Sequence, residues 1–567
     1  MIRITKGQGV FRIRGPRTTP RSLGRRPMYY HQALARALHD IGTDVVFGVL
    51  GDANLFAIDA YRRDLGGRYL SFAHEGSAVL AAGGYTATSG RLGVATVTHG
   101  PALTNTVTAL VDTVRGRTPL LLVAGDTDPA DQENLQNVDQ HAVVLPTGAG
   151  WEQARSPLTV AQDVERAARR AVAERRPVVL NVPVTFQWVE VPDHERARPV
   201  GLHDHPAPTP ADAALDEALG IIASARRPVV LGGRGAAGAR AELEQLAAAL
   251  GAPVATTLRG KGLFAGHPHD LGIFGTLSHD VALDTIGKAD CVVAFGAALT
   301  PWTTDKGSLL EGRRVVHVDL DPASLAVRAG TDAAVVGDAG ATARAMTAAL
   351  RSAGVEPTGF ASAALESALK DRLATRRDAP PPSSGIDLEL ALRTIDDELP
   401  QDRTLVIDDG RFIITSFREL SAADPRAYVH TCSFASIGLA VASAVGAQVG
   451  APHRPALVVC GDGGFMSAGI NELSAAVRHG TDLVVVVIND RAYGAEHMQF
   501  RARDMDPAIS TFDWPDLAPV ATALGATGVQ VDDHAGLHRA LQVVAERDRP
   551  VLIDLRVDPD AVPTPGY

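Results

Sequence analysis

Short runs of Val, Ile, Leu and Ala recur along the chain, each ending in glycine or polar residues. The first group comprises Val45–Leu50, Tyr69–Ala73, Leu92–Thr98, Pro119–Ala124 and Pro177–Pro183. A second comprises Val229–Leu231, Val254–Thr257, Cys291–Phe295 and Val315–Val318, and a third Ala456–Cys460 and Leu483–Ile488. Apolar runs of this length, β-branched and bounded by turn residues, predict strands buried on both faces of a parallel sheet. Between them lie segments with helical spacing, such as Ile470, Leu473, Ala476 and Val477. Alternating strands and helices predict an α/β fold of open, doubly wound parallel sheets.

The pattern repeats. Helix Gly76–Thr88, strand Leu92–Thr98, helix Thr104–Arg115 and strand Pro119–Ala124 have counterparts near the other end of the chain. Those are helix Ile437–Val449, strand Ala456–Cys460, helix Gly469–His479 and strand Leu483–Ile488. The first and third of three domains are therefore expected to share one architecture. The boundaries read as a basic tail over 1–28, domains over 29–190, 205–350 and 386–560, and connections marked by Pro192–Pro210 and by Pro380-Pro381-Pro382. Proline-rich connections are extended and stiff.

The length of 567 residues accommodates three domains of ordinary size. A hydrophobic fraction of 46 % and a charged fraction of 21 % are those of a soluble globular protein. No apolar run is long enough to span a bilayer. A net charge of −11 argues against nucleic acid as a partner. The first 27 residues hold eight Lys and Arg and no acid, without the apolar core of a signal peptide. Cys291, Cys432 and Cys460 form no ligand pattern, and they suit free thiols in a reducing, cytoplasmic compartment.

The densest chemistry lies where two strands end in acids. Ala456–Cys460 runs into Gly461-Asp462-Gly463-Gly464, and Leu483–Ile488 runs into Asn489-Asp490. Ligands of open α/β sheets bind beyond the carboxyl ends of the strands. Glycines let backbone amides approach an anion, and Mg²⁺ takes one or two carboxylates plus phosphate oxygens. A magnesium–diphosphate site is the physical reading.

These residues, with Asn471-Glu472-Leu473 and Tyr493-Gly494, resemble the thiamine-diphosphate motif of the acetolactate synthase and pyruvate decarboxylase superfamily. The resemblance covers nearly everything from Tyr29 onward. It implies Asp462 as a metal ligand, with Gly461, Gly463, Gly464, Tyr493 and Gly494 in the cofactor site. The second ligand depends on the count, because there is one more residue than usual between Phe465 and Glu472. Counting from Glu472 or Tyr493 gives Asp490 and the carbonyl of Ala492; counting from Asp462 gives Asn489 and Arg491. Two markers favour Asp490.

The resemblance implies further roles. Glu75, in His74-Glu75-Gly76, matches the glutamate that contacts N1′ of the aminopyrimidine and starts the proton relay. Ile437 matches the apolar wedge between the cofactor rings, and the Ala435 carbonyl the acceptor for the 4′-amino group. Gly51-Asp52-Ala53-Asn54-Leu55 is similar to a decarboxylase loop, and Glu496 falls where those enzymes place a glutamate. Their histidine pair is absent, leaving His99, His141 and His497 as candidates. Gln136 and Asp139, with Gly100-Pro101 and Thr104-Asn105, resemble acetolactate synthases instead. The implied activity is thiamine-diphosphate- and Mg²⁺-dependent decarboxylation of a 2-oxo acid with acetolactate-synthase-like carboligation. Simple decarboxylation and 2-hydroxyacyl-CoA cleavage are the alternatives. An inactive regulatory relative would lack the glutamate that Glu75 supplies. The Gly-rich turn at Gly232–Gly235 could hold a nucleotide such as FAD, but the expected role of the central domain is structural. A homodimer or homotetramer with the active site between subunits is implied.

Overall fold

The computed structural model describes residues 28–193, 196–202, 208–325, 330–377 and 386–560. The basic tail, the triproline and parts of the first connection lie outside them.

Three six-stranded parallel sheets carry the chain. The first orders its strands Arg68–Ser71, Val45–Gly48, Gly93–Val97, Leu120–Asp126, Pro177–Pro183 and Gly150–Gln153. The third orders them Tyr428–His430, Thr404–Ile407, Ala456–Gly461, Leu483–Asn489, Val551–Arg556 and Thr527–Val531. Ranked by chain position within each sheet, both read 2-1-3-4-6-5, so the repeat visible in the sequence extends to the whole topology. The central sheet, over 228–336, reads 3-2-1-4-5-6. Each inner strand is buried along its apolar run, as expected of a parallel sheet covered on both faces.

In the outer sheets the strand order reverses between ranks 1 and 3. That leaves a crevice beyond Val45–Gly48 and Gly93–Val97 in one, and beyond Thr404–Ile407 and Ala456–Gly461 in the other. These two crevices hold most of the candidate residues.

The outer domains meet through helices Glu75–Ser89 and Ala440–Gly450. Small residues make the contact possible: a Cβ on Gly84 would lie 2.0 Å from the Ser443 carbonyl, and one on Gly446 1.8 Å from that of Ala81. Thr88 donates to the Ala447 carbonyl at 2.8 Å. One apolar core runs through both helices and both sheets.

The helix expected from Ile437 starts at Ala440 instead. Ala435 and Gly438 have φ of +55° and +85°, which no helix accommodates. The carboxylate of Asp408 holds this turn, accepting from Gly438 N at 2.8 Å and Leu439 N at 3.2 Å.

Candidate active site

At the third sheet's crevice, Gly461 pairs with Ile488, so Asp462 and Asn489-Asp490 leave neighbouring strands together. Asp462 is 2 % exposed, and its Oδ2 has no hydrogen-bond partner. Burial, and then the nearby Asp490 carboxylate, push its pKa up to about 7. A buried carboxylate with an unpartnered oxygen and a second acid beside it is poised for a cation.

Asn489 and Asp490 differ in their partners. Asn489 is committed elsewhere: its amide donates to Asp554 at 2.7 Å and its oxygen accepts from Arg491 N. The Arg491 carbonyl is also taken, by Phe512 N at 2.8 Å. Asp490 accepts from Ala492 N at 3.0 Å, pairs with Arg411 at 2.9 Å and lies close enough to Asp462 to disfavour a charge there. The extra residue has a place too: Phe465–Gly469 forms a π-helical turn, which absorbs one residue without displacing either strand.

Glycines shape the pocket. A Cβ on Gly463 would meet the Tyr493 ring at 2.7 Å, and one on Gly494 would meet Asp490 Oδ2 at 2.5 Å. Gly464 lies under the Ile437 side chain, with 3.5 Å from its virtual Cβ to Ile437 Cβ. Gly461 lies against Phe412. Ala435, exposed and at positive φ, directs the loop before Ile437. An open cavity of about 690 Å³ lies beside Asp490, walled in part by Arg491, Phe512, Arg556 and Pro559. The unpartnered Asp462 oxygen with Asp490 beside it is a donor set that fits a divalent ion.

At the first sheet's crevice, His74 caps the helix that begins with Glu75, accepting from Gly76 N at 3.1 Å. Glu75 is half-buried and accepts from Asn105 at 2.9 Å. The Gly51–Asn54 loop is braced by Asn54, which accepts from Gly51 N and donates to the Val49 carbonyl. Asp52 accepts from Thr98 at 2.9 Å and stands 3.4 Å from His99 Nε2. His99 is 3 % exposed and its Nδ1 is unpartnered, whereas the Asp52 side chain is open to solvent. Gln136 arches over Gly100, where a Cβ would lie 2.2 Å from the Gln136 carbonyl.

The other candidates sit elsewhere. His141 is exposed against Trp151, and Asp139 caps its short helix. Glu496 is exposed on helix Gly494–Arg501. His497 is buried and bonded to Asp560 at 2.9 Å, which tethers the end of the described chain.

Three residues carry no signal in the sequence, and a fourth, Glu472, carries one without its partners. Asp408 holds the wedge turn, and Arg411 pairs with Asp490. Gln140 accepts from Gly100 N and donates to Gly125 O and Asn181, tying together the strand ends around His99. Glu472, 1 % exposed on the third domain's helix, faces Ser77 and Ala73 beside the start of the Glu75 helix. The Asn471-Glu472-Leu473 motif marked Glu472, but only the domain packing shows what it faces.

Comparison with known proteins agrees with this architecture. Residues 28–143 match the N-terminal TPP binding domain of thiamine pyrophosphate enzymes, 215–346 their central domain and 409–555 their C-terminal TPP binding domain. An acetolactate synthase large subunit of Parasynechococcus marenigrum is 29 % identical over 93 % of this chain and 87 % of its own. A sulfoacetaldehyde acetyltransferase of Rhodobacter capsulatus is 28 % identical over 91 % of each chain. A probable 2-ketoarginine decarboxylase of Pseudomonas aeruginosa is 30 % identical over 93 % of each. With three matched domains in family order and sheets to correspond, the chain belongs to the thiamine pyrophosphate enzymes.

Proposed function

We propose that this chain is a thiamine-diphosphate- and Mg²⁺-dependent enzyme that decarboxylates a 2-oxo acid and ligates the remaining fragment to a second carbonyl, as acetolactate synthases do. The observation that carries the cofactor half is the unpartnered buried oxygen of Asp462, beside Asp490. Asp462, Asp490 and the Ala492 carbonyl would hold the metal, and the amides of Gly463 and Gly464 the diphosphate. Ile437 and the Ala435 carbonyl would set the ring geometry. Bound there, the cofactor supplies carbanion chemistry that no side chain offers.

The chain's own residues supply orientation and proton movement. Glu75, steadied by Asn105, would exchange a proton with N1′ of the pyrimidine. Asp52 and His99 would carry protons to and from the substrate, with Gln136 and Gly100 shaping that wall. A second reading, simple decarboxylation, is favoured by the same Asp52–His99 pair, since a nearby donor can protonate carbon before an acceptor arrives. The relatives' names span both outcomes.

For the central domain we propose a structural role. Gly233 and Gly235 pack on Gly296, and Arg234 and Arg259 both hold the Gly116 carbonyl of the first domain. Flavin absorbance in the purified protein would overturn this. A homodimer or larger assembly in the cytoplasm completes the proposal; the free Cys291, Cys432 and Cys460 suit that compartment. Among the described residues, no helix is long and apolar enough to cross a membrane.

The deciding experiment incubates the protein with thiamine diphosphate, Mg²⁺ and a panel of 2-oxo acids, following CO₂ and carbon-chain products together. Cofactor-dependent CO₂ with a lengthened product supports carboligation, and CO₂ with an aldehyde the second reading. No cofactor-dependent CO₂ from any of them contradicts both.

A further inference from the structure

Asp490 sits in an unusual electrostatic setting for a metal ligand. It is the second carboxylate of the crevice, close enough to Asp462 to disfavour a charge there. Two carboxylates facing a diphosphate would leave a surplus of negative charge that one divalent ion does not neutralise. The surplus is met by Arg411, which follows strand Thr404–Ile407, the neighbour of the strand that ends at Asp462, and reaches across to Asp490 Oδ2 at 2.9 Å. Both side chains are nearly buried, at 4 % and 9 % exposure, so the pair is not a solvent-screened surface contact. The guanidinium is held on its other side by the carbonyls of Pro559 and Asp558. Gly494 is the residue that lets the pair form: a Cβ there would lie 2.5 Å from Asp490 Oδ2 and 2.9 Å from Arg411 Nε.

We propose that Arg411 is a positioning residue for the metal–diphosphate site, acting with Asp490 as one charge-balanced unit: it fixes the Asp490 carboxylate and cancels the charge that a second acid brings. The inference rests on Asp490 being a metal ligand, as proposed above. Its content is that neither residue can be neutralised alone. Arg411→Gln leaves two uncompensated carboxylates against the diphosphate. Asp490→Asn leaves a buried guanidinium without its carboxylate partner beside the cation. Changing both removes one charge of each sign, and an amide oxygen at 490 can still ligate.

The test is a double-mutant cycle read by binding, not turnover. Thiamine diphosphate with Mg²⁺ is titrated into wild type, Arg411→Gln, Asp490→Asn and the double variant, by calorimetry or intrinsic fluorescence. Near-UV circular dichroism and Tm verify that each apo variant is folded. Each single variant is expected to lose about tenfold or more in affinity, the range for outer partners of a metal ligand. The double variant is expected within about threefold of wild type, because its charges balance again. Losses that add in the double variant would overturn the unit. So would single variants that bind like wild type. Failure of wild type itself to bind the cofactor with Mg²⁺ would sink the prior reading of the site instead. A positioning effect would also change the Mg²⁺ dependence of binding, which a merely structural role would leave in place.

Discussion

The imidazole of His99 stands 3.4 Å from the carboxylate of Asp52, each just beyond the end of a neighbouring strand where the first sheet reverses its order. The third sheet places Asp408 and Asp462 at the equivalent ends of its own strands. One topological rule thus positions both groups: the proposed proton carriers in one copy, and in the other the acid that holds the wedge turn beside the proposed metal ligand. His99 is buried with its second nitrogen unpartnered, and Asp52 is exposed. His99→Asn should therefore lower kcat by about 100-fold while cofactor affinity holds, within the usual range for general acid–base groups. Asp52→Asn should do the same, and the double variant should be little worse than either, since the two act together. Steady-state kinetics on any accepted 2-oxo acid checks this; additive losses would separate the pair.

Glu75→Gln should keep the fold and cofactor binding but slow hydrogen–deuterium exchange at C2 of the bound thiazolium by at least about 100-fold. The glutamine preserves the Asn105 contact in shape while removing the exchangeable charge. Exchange at the wild-type rate, measured by quenched NMR, would remove Glu75 from the proton path.

What could be read from the chain alone follows a physical line. Inner strands such as Ala456–Gly461 and Leu483–Asn489 are covered on both faces, so they appear as unbroken apolar runs, and their acidic ends stand out. The edge strands of the third sheet were not legible: Tyr428–His430 is three residues long, and Thr527–Val531 is mostly half-exposed and interrupted by Gly528, whereas Arg68–Ser71, an edge of the first sheet, shows in the run Tyr69–Ala73. The helix after Ile437 was misplaced because its start is set by Asp408, far away in sequence. Arg411 and Gln140 were invisible for the same reason, since their roles come from partners on other strands. His497 looked available beside Tyr493, but its bond to Asp560 forms only in the fold.

The close crossing of the two inter-domain helices makes a further prediction. Gly446→Ala would place a methyl group 1.8 Å from the Ala81 carbonyl, a backbone atom that cannot swing aside. The variant should lose about 3 kcal/mol, at the upper end of overpacking costs. A substitution at Gly480, where a Cβ meets nothing within 4 Å, is the control for local effects. Its φ of +60° gives that control a smaller cost of its own, about 1 kcal/mol. Denaturant unfolding distinguishes the two, and equal losses would show that the helix contact is slack.

Glu472 makes stability depend on pH. Burial pushes its pKa up to about 7, so the folded protein holds this proton more tightly than the unfolded chain, whose carboxyl keeps its ordinary value of 4.5. The contribution is fully present below that ordinary value and is lost as pH rises toward 7. The Tm of the apo protein should fall across that window, and Glu472→Gln, which cannot ionise, should flatten the fall. A Glu472→Gln profile parallel to wild type would assign the dependence to other groups, of which Asp408, also pushed up to about 7 by burial, has the same sign.

The central claim is that Asp462 and Asp490 hold a magnesium-bound diphosphate. Calorimetric titration of thiamine diphosphate in the presence of Mg²⁺ tests it most directly, on wild type, Asp462→Ala and Asn489→Ala. The account predicts saturable, Mg²⁺-dependent binding to wild type, about 100-fold or greater loss for Asp462→Ala, and a smaller loss for Asn489→Ala. Binding to Asp462→Ala as tight as to wild type, or unaffected by chelating the metal, would contradict it.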